Sequence, residues 1–220
     1  MSLVVDSPPG VVSALTLQDL ADRFGPMLPT RIRFEPSPGS ATEADLVRIL
    51  DSEDRLYELV DGTLVEKTVA FEESELAAWL IVVLSNFIGP RKLGLLTTPD
   101  GPYRLGTGLI RLPDVAFVAR ARFPGGKRPR GAICDVVPNL VVEILSPGNT
   151  PAEMRGKLAE YFRAGVELVW LVDHRRRTCE VFTSPSERLL LVDVQTLTGG
   201  AVLPGFELAL RDLFSCLDDD

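Results

Sequence analysis

The sequence predicts an α/β (α+β) fold, in which a mixed β-sheet is flanked by helices. Three observations predict this class: a β-α-β pattern over 140–173, a hairpin signal at Asp61-Gly62, and a long helical pattern over 72–88. The 220 residues, 45% of them hydrophobic and 25% charged, are enough to build one sizeable core. We therefore expect one main domain over 51–220, preceded by an N-terminal extension of short helices over 1–50.

Two short helices are predicted in the N-terminal extension. The stretch 16–24 begins with a threonine suited to an N-cap, and 41–50 begins with a Thr-x-x-Asp capping box. The segment 26–40 between them is rich in proline and glycine, which is typical of a connector. Residues 1–10 contain a Pro-Pro-Gly sequence and are expected to be loose.

A β-hairpin and the longest helix follow. Asp61-Gly62 lies between two strand-like runs and suits a tight turn with positive φ. Apolar residues at spacings of three and four predict a helix over 72–88, and Gly89-Pro90 is expected to end it. The stretch 93–118 then predicts three or four short strands.

The second half of the chain predicts a parallel pair of strands. Residues 140–145 form an almost continuous apolar run, as in a sheet covered on both faces. Thr150 is a suitable N-cap for the helix that follows, and 167–173 predicts the next strand. Such a unit implies a right-handed crossover between the two strands. A further hairpin over 178–194 and a short tail complete the domain.

Composition narrows the possible chemistry. The formal net charge of −8 does not suggest a non-specific nucleic-acid binder, since such proteins are usually basic. The three cysteines include no CxxC pair, which argues against a zinc-thiolate site. With His174 as the single histidine, a multi-histidine metal site and most histidine triads are excluded. Catalysis would have to depend on carboxylates and lysine.

The cysteine content and the absence of sorting signals predict where the protein resides. Three widely spaced cysteines are typical of a reducing cytoplasm. No stretch approaches 18 uninterrupted apolar residues, so we expect no membrane span. The N-terminus lacks a cationic region followed by an apolar core, so we expect no signal peptide. These observations together predict a cytoplasmic protein.

Asp114 and Glu143 are the strongest candidates for a functional site. They lie 29 residues apart, and each interrupts a run that otherwise predicts a buried strand. A carboxylate in such a position costs several kcal/mol unless it is paired or binds a metal. Two acids from separate strands suit a divalent-metal site. The alternative is structural: Asp114 would end a strand, and Glu143 would pair with an arginine such as Arg111.

Lys157 and Glu73 are further candidates. Lys157 borders the apolar face of the 151–164 helix, where a lysine next to a carboxylate site could orient water. Its alternative role is that of a surface lysine whose stem packs along apolar neighbours. Glu73 shares the helical spacing of the apolar stripe in 72–88 and could be a third acid for the same metal. Alternatively, it stabilises the helix N-terminus.

Two basic segments could contact phosphates. Their alternative role is ordinary solvated charge on loops, and they would matter most if they flanked the carboxylates. The first segment comprises Arg120, Arg122, Lys127, Arg128 and Arg130, and the second comprises Arg175, Arg176 and Arg177.

Several stretches together resemble a known family. The order and spacing of these stretches are similar to those of the Uma-two family in the PD-(D/E)XK nuclease superfamily, and the resemblance extends from about Tyr57 to Phe214. The stretches are 57–67, 111–117, 140–147, 149–166 and 169–173. The resemblance implies a restriction-endonuclease-like core.

The resemblance also implies roles for individual residues. Asp114 matches the aspartate of the motif, and Glu143 matches its second acid. The motif expects lysine two residues after the second acid, where this chain has Leu145. In this family the lysine is supplied from the following helix, at the position of Lys157. Glu73 matches a polar position at the start of the first core helix, where many members carry histidine.

The function implied by the resemblance is endonucleolytic cleavage of DNA with Mg²⁺ or Mn²⁺. A homodimer would let the protein hold two strands. Leu145 leaves a second reading open, in which a catalytically inactive nuclease-fold module binds nucleic acid or a protein partner. A carboxylate-pair glycosidase is a third reading. It is disfavoured because both tryptophans fall in apolar core patterns rather than on a sugar platform.

Overall fold

The computed structural model describes residues 15–24, 29–68 and 70–218. Within these ranges the chain forms five α-helices and twelve β-strands. In chain order they are α1 (Leu17–Phe24), α2 (Glu43–Ser52), β1 (Leu56–Val60), β2 (Thr63–Lys67), α3 (Phe71–Arg91), β3 (Gly94–Thr97), β4 (Tyr103–Gly106), β5 (Leu109–Arg111), β6 (Val115–Ala119), β7 (Leu140–Ile144), α4 (Pro151–Ala164), β8 (Leu168–Asp173), β9 (Thr178–Phe182), β10 (Arg188–Val192), β11 (Thr196–Gly199), β12 (Leu203–Ala209) and α5 (Leu210–Phe214).

The main sheet is mixed and has six strands in the order β10-β9-β8-β7-β6-β3. Strands β7 and β8 pair in parallel, and their neighbours pair antiparallel. Helix α4 forms the crossover between β7 and β8, as the β-α-β pattern predicts. The predicted class, a mixed sheet with helices on its faces, is confirmed.

Local signals fix the bounds of the crossover helix. The Thr150 hydroxyl accepts a hydrogen bond from the backbone N–H of Glu153, and the Glu153 side chain reaches back to the N-cap. Gly165 ends the helix with a φ of 103°, a conformation that favours glycine. The helix is therefore held at both ends, and its buried face has a fixed position over the sheet.

A second sheet has four strands in the order β2-β1-β5-β4. Its hairpin turns at Asp61 and Gly62, with φ values of 44° and 70°, as the sequence predicts. A Cβ on Gly62 would lie 2.5 Å from the backbone of Gly39, so the close approach of these segments also requires glycine. Helix α2 packs on this sheet through Leu46 and Ile49, which are fully buried.

The main sheet is covered on both faces, which explains why β7 is apolar throughout. Leu140, Val142 and Ile144 share a core with α3, whereas Val141 faces the core under α4. Successive strand residues point to opposite faces, so Glu143 lies on the α4 side together with Val141. This alternation directs a carboxylate into a closed interior.

The predicted end of the longest helix differs from the structure. Helix α3 continues through Gly89-Pro90 and ends at Arg91, because Lys92 adopts a left-handed φ of 54° and caps it. The predicted loose segment 1–10 lies outside the described residues, as does part of the connector 26–40. Helix α2, most of which falls in the predicted N-terminal extension, packs into the core of the four-stranded sheet. The domain division at residue 50 stays a prediction.

Across the described ranges, the helices are too short or too polar to span a lipid bilayer.

Candidate active site

Asp114 and Glu143 lie directly opposite each other. Strand β6 pairs with β7 so that Val115 faces Val142, which places Asp114, the residue before β6, opposite Glu143. The Asp114 N–H donates to the Val142 carbonyl at 3.1 Å, and the Ile144 N–H donates to Asp114 Oδ2 at 2.6 Å. Opposed residues of an antiparallel pair share one face of the sheet. The structure thus brings the two predicted acids together.

Lys157 and Tyr161, both on α4, contact the Glu143 carboxylate. Lys157 Nζ lies 3.3 Å from Glu143 Oε1 and 3.4 Å from Oε2, and the Tyr161 hydroxyl donates to Oε1. These two side chains are four residues apart on α4 and so point the same way. Burial raises the pKa of Glu143, whereas the charge of Lys157 opposes that rise. Lys157 is buried, and its reading as a surface lysine is wrong.

Glu58 is a site residue that the sequence reasoning missed. It comes from β1 in the other sheet and is 1% exposed. Its Oε1 lies 3.3 Å from Lys157 Nζ and accepts from the Leu112 N–H, while its Oε2 lies 2.7 Å from Arg111. Burial alone would raise the pKa of Glu58, but Lys157 and Arg111 lower it to about 2. Glu58 is therefore an ionised partner that Lys157 shares with Glu143.

Lys67 is a second missed residue. Its ammonium group lies 2.8 Å from Asp114 Oδ1 and donates to the carbonyls of Leu112 at 2.5 Å and Pro99 at 3.2 Å. Its side chain is 6% exposed. Both oxygens of Asp114 are thus engaged, one by this lysine and the other by the Ile144 N–H.

Arg111 does not pair with Glu143, contrary to the structural alternative considered for that acid. Its guanidinium group contacts Glu58 and, at 2.6 Å, Glu160. Burial alone would lower the pKa of Arg111, but Glu58 and Glu160 raise it. Four carboxylates therefore face three cations at this junction of the two sheets. Glu58 could have been found by the rule that identified Glu143, because it also interrupts an apolar strand.

Glu73 occupies the first turn of α3, on the other face of the main sheet. It is buried, and within the described ranges its Oε2 has no hydrogen-bond partner. The described contacts do not join it to Asp114 or Glu143. Its role as a third acid stays a prediction.

The basic loop after β6 lies at the far end of the main sheet. Asp114 precedes β6 and Arg120 follows it, so the five-residue strand separates their backbones by about 20 Å. Arg122 is occupied by the carbonyls of Val137, Pro138 and Gly165 and by Glu167. The start of the loop therefore does not flank the carboxylates, and the binding of nucleic acid by the loop stays a prediction.

The acids fit a metal site with two carboxylates better than one with three. Across the described ranges, no group of three or more His, Cys, Asp or Glu side chains is placed to hold a metal ion. Mg²⁺ usually takes one or two protein carboxylates and keeps several waters. Asp114 and Glu143 offer such hard oxygen donors on one face of the sheet, provided that Lys67 and Lys157 release the oxygens they now contact.

Comparison with known proteins gives two findings. The Uma2 family model, described as "Putative restriction endonuclease", matches residues 43–211. A crystal structure described as a putative nuclease belonging to DUF820, from Anabaena variabilis, superposes with a TM-score of 0.67 at 18% identity. The match covers 76% of this chain and 98% of that one, and it shows a shared fold. Among curated proteins, none matches this sequence.

Proposed function

This chain belongs to the Uma2 family, and from that premise we propose that it is a metal-dependent nuclease that hydrolyses phosphodiester bonds of DNA. The observation that carries the proposal is the convergence of Asp114, Glu143 and Lys157 at one end of the main sheet. The acids come from adjacent strands and the lysine from the helix above them. All three are buried, and their common meeting point is unlike scattered surface charge.

Asp114 and Glu143 would hold the divalent ion, either Mg²⁺ or Mn²⁺. The ion, when bound, supplies Lewis-acid chemistry that polarises the phosphate and makes water a stronger acid. A third acid is not required; Glu73 could serve as one only by approaching from the other face of the sheet, where its buried Oε2 has no described partner. The site lies where β6 begins and β7 ends.

Lys157 would stabilise negative charge on the reacting phosphate. A fixed ammonium group in a dry site is worth more than one in water. Burial alone would lower the pKa of Lys157, but Glu143 and Glu58 raise it, so the lysine acts as a cation and not as a proton acceptor. Its contact with Glu143 supports the interpretation that α4 supplies the lysine missing at Leu145.

The second candidate function is a catalytically inactive module that binds nucleic acid or a protein. The observation that favours it is the neutralisation of both acids by lysines: Lys67 on Asp114 and Lys157 on Glu143. Such a closed network is stable without metal. The two candidates therefore differ in metal affinity as well as in cleavage.

The test is cleavage of plasmid and single-stranded DNA with Mg²⁺ or Mn²⁺, alongside Mn²⁺ titration by calorimetry. We expect Asp114→Asn and Glu143→Gln to lose both cleavage and Mn²⁺ binding, and Lys157→Met to lose cleavage alone. The matched control is Glu180→Gln, a surface acid on β9 paired with Arg188. No Mn²⁺ binding and no cleavage by the wild type would favour the inactive module. Equal cleavage by all variants would contradict the proposed site.

Two further properties belong to this proposal. A homodimer would place one active site on each of two DNA strands. The exposed Leu189, Leu190 and Val192 on the edge β-strand β10 offer a contact for a second copy. Sedimentation of the wild type and Leu190→Lys tests this, since the charge should keep the chain monomeric. A cytoplasmic location stays a prediction from composition.

A further inference from the structure

The turn between β8 and β9 lies at the same end of the main sheet as the acids. Strand β8 runs parallel to β7 with Leu171 opposite Glu143, so its last residue, Asp173, points toward that end. The turn 174–177 follows directly. We call this end of the sheet the carboxylate end.

The start of α3 is fixed beside that turn. His174 Nε2 lies 3.0 Å from Glu72 Oε2, which joins the turn to the first turn of the helix. Phe71, the first residue of α3, is 83% exposed. A large aromatic ring with so little cover, next to a predicted catalytic centre, indicates a contact surface rather than part of a core.

Two arginines of the turn extend into solvent. Arg176 is 82% exposed, and its Nε lies 3.8 Å from Asp173. Arg175 is exposed, and no ion pair is formed by it within the described ranges. Arg177, in contrast, is held by Asp193 and Asp218. Two guanidinium groups are therefore available at the carboxylate end.

We propose that Phe71, Arg175 and Arg176, here called the rim, bind a single-stranded segment of DNA and lead it to the carboxylates. This inference rests on the proposed nuclease function and names the part of its substrate that the site takes. Arginines pair with backbone phosphates, and an exposed ring stacks on an unpaired base, which a closed duplex does not present.

The charges facing the rim are compatible with a polyanion. Glu72 contacts His174 but its side chain is 63% exposed, so one carboxylate lies beside the two arginines. Asp173 Oδ1 accepts a hydrogen bond from the backbone N–H of Arg176. Helices α3 and α4 both begin at this end, so their partly positive N-termini also face it. Arg120 and Arg122, at the start of the basic loop, lie at the opposite end, where a strand bound to them would be remote from Asp114.

The test is fluorescence anisotropy with labelled oligo(dT) and a labelled hairpin duplex, in EDTA and over a salt series. We expect the wild type to bind oligo(dT) more tightly than the duplex. Phe71→Ser should weaken binding about tenfold. Arg175→Ser/Arg176→Ser should lower the logarithmic salt slope by about 1.4, the value for two phosphate contacts on single strands. Thermal melting checks that each variant is folded.

The matched control is Arg91→Ser/Lys92→Ser, which removes the same charge from the other end of α3, far from Phe71, and should leave binding unchanged. If the control loses binding and the rim variants keep it, the rim proposal is overturned while the nuclease proposal stands. If the wild type cleaves DNA with Mn²⁺ but all variants bind oligo(dT) as tightly as the wild type, the rim proposal is again overturned while the nuclease proposal stands. If the wild type neither binds nor cleaves DNA, both proposals fail.

Discussion

Replacing Glu58 by glutamine should destabilise the protein without changing the shape of its side chain. The amide can still accept the Leu112 N–H, but it removes the negative charge between Lys157 and Arg111. Those charges hold the pKa of Glu58 at about 2, against 4.5 in an unstructured chain. That difference corresponds to about 3 kcal/mol of folding free energy at neutral pH.

The expected loss depends on pH in a defined direction. Because the pKa of Glu58 is lower in the folded state, its stabilisation is present above pH 4.5 and is lost as pH falls toward 2. The difference between wild type and Glu58→Gln should therefore be constant near neutral pH and narrow below pH 4.5.

Urea unfolding followed by tryptophan fluorescence measures this difference, since Trp170 is fully buried. Glu66→Gln is the control, because Glu66 pairs with Arg55 near the surface at 3.5 Å and should lose less than about 1 kcal/mol. The assigned electrostatics would be refuted if Glu58→Gln lost as little unfolding free energy at pH 7 as the control. They would also be refuted if the difference in unfolding free energy between wild type and Glu58→Gln did not narrow in acid.

Three further predictions concern stability and metal binding. Without metal, Glu143→Gln should unfold at a urea concentration no lower than that of wild type at pH 7. Burial raises the pKa of Glu143, so the stabilisation that this carboxyl gives is lost as pH rises. The stability of wild type relative to the variant should therefore increase as pH falls. Lys67→Met should bind Mn²⁺ more tightly in calorimetry, because it frees Asp114 Oδ1; unchanged affinity would show that the lysine does not compete. Gly94→Ala should lower the melting temperature, because its Cβ would lie 2.0 Å from the Val118 carbonyl; an unchanged value would contradict this close approach.

The sequence predicts the elements well where the signals are local. The Thr150 cap, the stop at Gly165 and the turn at Asp61-Gly62 depend on neighbouring residues, and all three are confirmed. The division of the strands into separate sheets was not predicted. It depends on pairing between β1 and β5, which are some fifty residues apart and carry no local mark of their partnership.

The site was predicted in part for the same reason. Glu143 is conspicuous because apolar residues surround it in the sequence, and Glu58 carries the same signal in its own strand. Lys67 carries no such signal, since its burial arises from Pro99, Leu112 and Asp114, which approach it only in the folded chain. Sequence order also suggests that the basic loop is near Asp114, but an intervening strand carries it away.

The sharing of Lys157 between two acids affects when the site can form. Glu58 and Lys157 are 99 residues apart, and their contact must await synthesis of the chain as far as residue 157 of 220. Closing so long a loop is entropically costly and slow, and the contact is expected late in folding. A nascent chain, or one truncated before α4, would contain Asp114 and Glu143 without Lys157 bound between Glu58 and Glu143. Under the proposed function, cleavage of DNA would then be withheld until α4 has packed against both sheets.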